Sequence, residues 1–401
     1  MRINALLSKL FLVLLVTLFL FFFAYFAYNL YFKNSSTNQQ NGKLNSDDIV
    51  QKASSFLLNR KTYATGLFVY DYNLKTGKTE MKDNIVRQMG ALYALAIAGD
   101  DHLDQKQMQE LKDSLQKVLD YSELVEKDGR KILLYKYYDS NIAGALALLF
   151  AASQLYVSYD KTFLVKNENK LEALKNTLLY LKKTNGDYSS FISKKDGRDE
   201  IEKNMSDGYS TGEILNAFAI YLKNNPDDMA VKKAVLYTLK MLEKRGLENR
   251  YQGIYLWLMS FGYQIYSNEK LDKEFKEKVF AVVEEYHKHA LNYLKFYKEG
   301  YNSCAHTEGL AMYIKSAKLQ GKKAEKELAI YKKSISINKR LQINKENKEY
   351  ILSSNHDIKE EFYNNKYALY AFLDNIKNAG TRIDYAQHCI VAFWAYKNIV
   401  E

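Results

Sequence analysis

Six stretches of this chain read as helices that are apolar nearly all round, and a more charged helix precedes each of them. A helix without a polar face has to be buried, whereas an amphipathic one covers it from outside. The six apolar helices begin near residues 84, 140, 209, 252, 304 and 382. Ser140–Tyr156, with Ile142-Ala143-Gly144-Ala145-Leu146-Ala147-Leu148-Leu149 near its centre, shows the type. Asn167–Lys183 shows the other type, with charge surrounding a stripe of Leu171, Leu174, Leu178 and Leu181. The remaining charged partners are Asp47–Arg60, Asp104–Tyr121, Asp227–Arg245, Asp272–Tyr297 and Lys322–Ile343. Pro226 is the one proline in 401 residues, so few helices are broken. The pattern predicts an all-α fold, an (α/α)6 toroid over residues 46–401. Spacing between the buried helices is irregular, which makes this a repeat of architecture rather than of sequence. Two stacked solenoid halves would look similar. The count of six and the lack of a polar capping repeat at either end favour the closed ring. The strand content expected is one short β-hairpin near residues 66–81, turning at Lys75–Gly77.

Leu10–Phe32 is apolar over roughly the length that crosses a bilayer, with no charge inside it. This predicts residues 1–9 in the cytoplasm, a transmembrane anchor over 10–32 and a polar linker over 33–45. Arg2 and Lys9 lie close before the span, and Lys33 and then Lys43 follow it, a modest preference for the N-terminus in the cytoplasm, with the main domain expected outside it. A cleaved signal peptide is the rival reading. It needs a shorter apolar run and a small-x-small cleavage site, and none follows Phe23.

The net charge of +11 lies largely in Lys-rich helix faces that also carry Glu or Asp, the pattern of a solvated surface. No nucleic-acid module is visible, and no nucleic-acid partner is expected. A basic surface suits an anionic glycan or a membrane surface. Cys304 and Cys389 show no CxxC or Cys/His ligand spacing, so neither a metal nor another cofactor is expected. They are expected as two unpaired core cysteines, although a domain outside the cytoplasm leaves pairing open.

In a toroid the inner helices all point the same way, so their starts gather at one mouth. Glu213, Glu308 and Asp384 are the acid/base candidates there, with His388 four residues after Asp384 on the same helix face. Arg87, Gln88, Asp139, Asp207, Tyr209, Arg250, His306 and Arg382 are the substrate-binding candidates. Carboxylates can act as general acid and base when their surroundings push their pKa values apart. Arginine with Tyr or His can instead neutralise a uronate and abstract the proton beside it. Each has a structural reading too: Asp207 as a helix cap, Asp384 as a partner for Arg382, and Tyr255 and Trp257 as core. His287 and His289, on a Lys/Glu helix, are expected to face solvent.

Val86–Leu92, Ser210–Asn216 and Arg382–His388 resemble the helix starts of the catalytic domain of D-glucuronyl C5-epimerases. These sit within the six-hairpin (α/α) glycosidase-like superfamily of glycan hydrolases, lyases and sugar epimerases. That family's larger β-rich domain has no counterpart in this sequence. The resemblance implies a cleft for polymeric sugar. The expected function is therefore a membrane-anchored envelope protein that binds and processes a polysaccharide, potentially an anionic one, by carboxylate acid/base chemistry. The alternative is a non-catalytic glycan-binding or scaffold protein. A cyclase-like toroid acting on lipid fits so polar a mouth less well.

Overall fold

The computed structural model describes residues 44–400 apart from 63, 80–82, 137–139, 196–197, 202–207, 246–253, 293 and 295, together with 19 and 22. Of residues 140–141, 193–195, 198–201 and 245 it describes the backbone alone. The expected span over 10–32 lies outside the described residues except for positions 19 and 22. Among the described residues no helix is long and apolar enough to cross a membrane. The chain divides into two units, Met1–Asn45 and Ser46–Glu401.

The second unit alternates outer and inner helices. The pairs are α1 (Ser46–Asn59) with α2 (Ile85–His102), α3 (Gln105–Asp120) with α4 (Ala143–Tyr159), and α5 (Lys161–Tyr180) with α6 (Tyr209–Asn224). Then come α7 (Met229–Arg245) with α8 (Tyr255–Tyr266), and α9 (Lys273–Ala290) with α10 (Cys304–Leu319). Last, α11 (Glu325–Lys339) leads through the short α12 (Lys348–Ser354) and α13 (Glu360–Tyr363) to α14 (Ile383–Trp394) and α15 (Tyr396–Val400). Around the inner layer α2 packs on α4, α4 on α6, α6 on α8, α8 on α10, α10 on α14, and α14 back on α2. The ring is closed, as the six apolar stretches require.

Burial follows the polarity of each helix. In α4 every residue is buried except Leu155, Ser158 and Tyr159. In α5 burial is confined to a stripe that includes Phe163, Leu171, Leu174 and Leu178. Each buried Leu or Phe contributes about 1.5–3 kcal/mol, so the inner layer holds most of the apolar stabilisation. Outer helices carry the stronger local start signals. At α3 the Asp104 carboxylate accepts from Gln107 N at 2.8 Å, and the Gln107 side chain accepts from Asp104 N at 3.0 Å.

Strand pairing departs from expectation. β1 (Asp71–Asn73) pairs not with its own return segment but, antiparallel, with β7 (Gly380–Arg382), placing Asp71 opposite Arg382. The turn itself survives as an Asn73–Lys78 bridge, with Gly77 at φ +67°. A lone hairpin is marginally stable in water, and this one gains by burying Tyr72 and Leu74 against a distant segment. Two further sets of strands were not expected. β2 (Ser122–Lys127) and β3 (Arg130–Tyr135) form a hairpin; β4 (Ser140–Ile142), β5 (Phe191–Lys195) and β6 (Arg198–Ile201) form a three-stranded sheet. Asp128 and Gly129 both adopt positive φ in the β2–β3 turn, which is the requirement that an Asp-Gly pair meets at low cost.

The two cysteines are paired, not free. Cys304 opens α10 and Cys389 lies midway along its ring neighbour α14, with Cα atoms 4.9 Å apart. Packing of these adjacent inner helices brings together side chains separated by 85 residues. His287 is likewise not solvent-facing. It is 1% exposed and stacked on Tyr313, with Nδ1 3.1 Å from the Tyr255 hydroxyl and Nε2 3.4 Å from Glu327. The Lys/Glu character of α9 belongs to its other faces. His289 is half-buried.

Burial lowers the His287 pKa to about 4. Because this histidine is neutral when folded, its contribution is complete above its ordinary value and is lost as pH falls through about 4. His287→Phe should flatten the stability profile between about pH 6.5 and 4, a span in which the wild type loses up to ~3 kcal/mol, as urea unfolding at a series of pH values would read. Reduction of Cys304–Cys389 should cost about 2–4 kcal/mol, measured by urea unfolding with and without a thiol reductant.

Candidate active site

A cavity of about 400 Å³ opens where the inner helices begin. It draws Arg87 from the first turn of α2, Tyr209 and Glu213 from α6, His306 from α10, and Asp384 and His388 from α14. Asn84 caps α2, its side-chain oxygen accepting from Arg87 N at 3.2 Å, which fixes where the arginine leaves the helix.

Asp384 sits in a fork of two arginines. Arg382 donates through Nε to Oδ1 at 3.1 Å and through Nη2 to Oδ2 at 3.0 Å, while Arg87 Nε lies 3.3 Å from Oδ2. Charge-assisted, bidentate pairing of this kind is strong and directional. Both guanidiniums also lie by tyrosine rings, Arg87 at 5.6 Å from the Tyr70 centroid and Arg382 at 4.3 Å from that of Tyr385.

Glu308 does not line the cavity. It is completely buried, one helical turn into α10, and its Oε2 lies 2.8 Å from His388 Nδ1 across the α10–α14 contact. Its other oxygen has no hydrogen-bond partner among the described residues. Burial pushes this carboxyl above the usual range, and the bond to His388 pulls the opposite way. An ionised carboxylate only accepts, so with Glu308 charged the shared proton rests on Nδ1 of the imidazole. In a neutral imidazole protonated on Nδ1, Nε2 is the acceptor, and the ring forms part of the cavity wall. Trp257 stands beside it, ring centroids 6.4 Å apart.

Glu213 is 4% exposed and reaches the cavity from α6. The neighbouring helix makes room for it with a glycine. A Cβ on Gly144 would overlap the Glu213 carboxylate, so the position near the start of α4 has to stay bare.

The remaining expected residues scatter. Gln88 is fully buried and away from the cavity; its amide donates to Phe68 O and accepts from Phe68 N, both at 2.8 Å. Its work is to hold the segment before β1. Arg382 lines a second, adjoining cavity of about 470 Å³, which shares Asn84 and Arg87 with the first. Asp139, Asp207 and Arg250 lie outside the described residues. Trp257, Gln387 and Asn84 line the first cavity although none stood among the expected site residues. Gln387 had a readable signal: an amide beside His388, inside the otherwise apolar run of α14. Its Oε1 is buried with no partner among the described residues.

No family model and no curated protein sequence matches the chain. Solved structures do. The fold is the six-hairpin (α/α)6 toroid. A D-mannose isomerase matches with a TM-score of 0.58 at 11% identity, covering 89% of this chain and 98% of its own. The cellobiose 2-epimerase of Bacillus thermoamylovorans matches at 0.57 and 11%, covering 87% and 98%. A GH76 α-mannanase of Bacteroides thetaiotaomicron gives 0.55 at 7%, covering 90% and 98%. At such identities the toroid is what is shared.

The Glu308–His388 bond predicts that nitrogen-15 NMR at pH 8 finds His388 as the Nδ1–H tautomer. Glu308→Leu should shift the ring toward the Nε2–H form, and an unchanged spectrum would dissociate the tautomer from Glu308.

Proposed function

We propose that this chain is a carbohydrate-processing enzyme of a cell envelope, acting by proton transfer with His388 as the principal base. The observation that carries the reading is the imidazole held at Nδ1 by the completely buried Glu308 carboxyl group while its ring borders an open cavity. A base oriented in this way, near Glu213 and His306 on the same cavity, can remove a proton from a sugar carbon next to a carbonyl and have it returned by a second group. Arg87 offers positive charge to the oxygen on which the electrons accumulate.

Hydrolysis by a carboxylate pair has less support. Such a pair needs two carboxyls facing each other across a cleft, roughly 5–10 Å apart. Glu308 lies behind His388, outside the cavity lining, and Asp384 is held by two arginines, so neither is placed as the second member of such a pair. That the similar structures carry the names of a mannose isomerase, a cellobiose 2-epimerase and a mannanase favours a sugar as the ligand. We further propose that residues 10–32 anchor the protein in a membrane with the toroid outside the cytoplasm. The apolar run itself supports this, as does a buried disulfide, since such bonds persist mainly in oxidising compartments.

A non-catalytic glycan-binding protein is the second reading, favoured by the Arg87–Asp384–Arg382 fork, which spends charge on itself. The deciving measurement is turnover of neutral and uronate-containing glycans by the purified full-length protein, followed by product analysis and exchange of solvent deuterium into the sugar. His388→Ala should lower turnover about 10²–10⁴-fold, with Glu213→Gln and Asp384→Asn also impaired. Saturable binding without product, unchanged by these substitutions, would sink the enzymatic reading in favour of the second.

A further inference from the structure

We propose that the adjoining cavity is a second sugar compartment, so that the protein takes oligosaccharides or polysaccharides of uncharged units, seating at least two units at once. This rests on the carbohydrate reading above and extends it. The two cavities, about 400 and 470 Å³, share Asn84 and Arg87 as a common wall, and each is of a size that holds a small ligand. A chain lying over that wall would occupy both.

The second compartment is built rather than incidental. Its lining takes residues from both strands of the β1–β7 ladder and from the tight turn between Asp374 and Gly380. Asp374 N donates to Gly380 O at 2.9 Å, and the Asp374 carboxylate accepts from Asn375 N at 2.5 Å and from Asn378 Nδ2 at 3.2 Å. The turn is thereby fixed before any ligand arrives, which lowers the ordering cost of binding.

Charge decides the class of sugar. The lining carries three carboxylates, Asp71, Asp83 and Asp374, against three cations, Lys78, Arg87 and Arg382, so the formal charges cancel. Both arginines are already engaged by Asp384. A uronate would have to compete with that fork and approach three aspartates, whereas hydroxyl groups can donate to carboxylates and accept from cations. The polymer expected from the overall basic charge could be anionic; the local balance points to a neutral one.

The test is calorimetric titration of the full-length protein in detergent with neutral gluco- and manno-oligosaccharides of one to four units, and with oligogalacturonates of the same lengths. Affinity for the neutral series should rise at least about tenfold from one unit to two. Asn378→Ala and Lys78→Ala should each shrink that step. Equal affinity for one and two units, or a step that both variants leave intact, overturns the second compartment while leaving the carbohydrate reading standing. A step confined to the galacturonates overturns the uncharged class. Failure of every sugar to bind overturns the carbohydrate reading and this extension together.

Discussion

Six helices with no polar face can escape water only by facing one another, and a closed ring is the arrangement in which all six do so. The consequence reaches beyond stability. Neutral polar side chains such as Ser153, Asn216 and Ser260 are buried along the inner helices, whereas the charged ones lie toward the helix ends. At the starting end, unsatisfied backbone N–H groups favour carboxylates and capping side chains. Arg87, Glu213, His306 and Asp384 accordingly meet at that starting end, around one cavity.

This is also why the fold was legible and the pairings were not. Ala143–Val157 reads as a buried helix from any window, and the six such stretches fix the architecture without knowledge of a single contact. The same reasoning placed Arg87, Glu213, His306, Asp384 and His388 at one mouth, where they line one cavity. What it could not read was the partner each one takes. Glu308 belongs behind His388 because of the rotation of α10 against α14, a matter of side-chain packing between residues 80 positions apart. Asp71–Asn73 chose a strand more than 300 residues away over its neighbour, and no local pattern encodes that. The Asp128-Gly129 turn, by contrast, has a local signature, an Asp-Gly pair between two runs that carry Leu124 and Val125 on one side and Ile132 and Leu133 on the other. His287 shows an error of reading, a histidine judged by the charge of its helix rather than by the face it occupies.

The arginine fork around Asp384 places a charged, ordered partition between two cavities. Arg87 belongs to both, and its distance from Asp384 is set by the capped start of α2 on one side and the β1–β7 ladder on the other. Segments remote in sequence, near residues 71, 87 and 382, thus meet at one point. Substitutions in the ladder would be felt at the mouth without touching it.

The disulfide has a bearing on the site as well as on stability. Cys304 lies one helical turn before Glu308, and Cys389 is next to His388, so the covalent link ties together the same two helices that the carboxylate–imidazole bond spans. Sliding or rotation of α10 against α14 would misalign that bond by shifting one partner along the other, and the cross-link forbids both movements close to the place where they would do harm. The imidazole is in effect mounted on a riveted joint. Thermal loosening of the rest of the ring can proceed some way before its aim is lost.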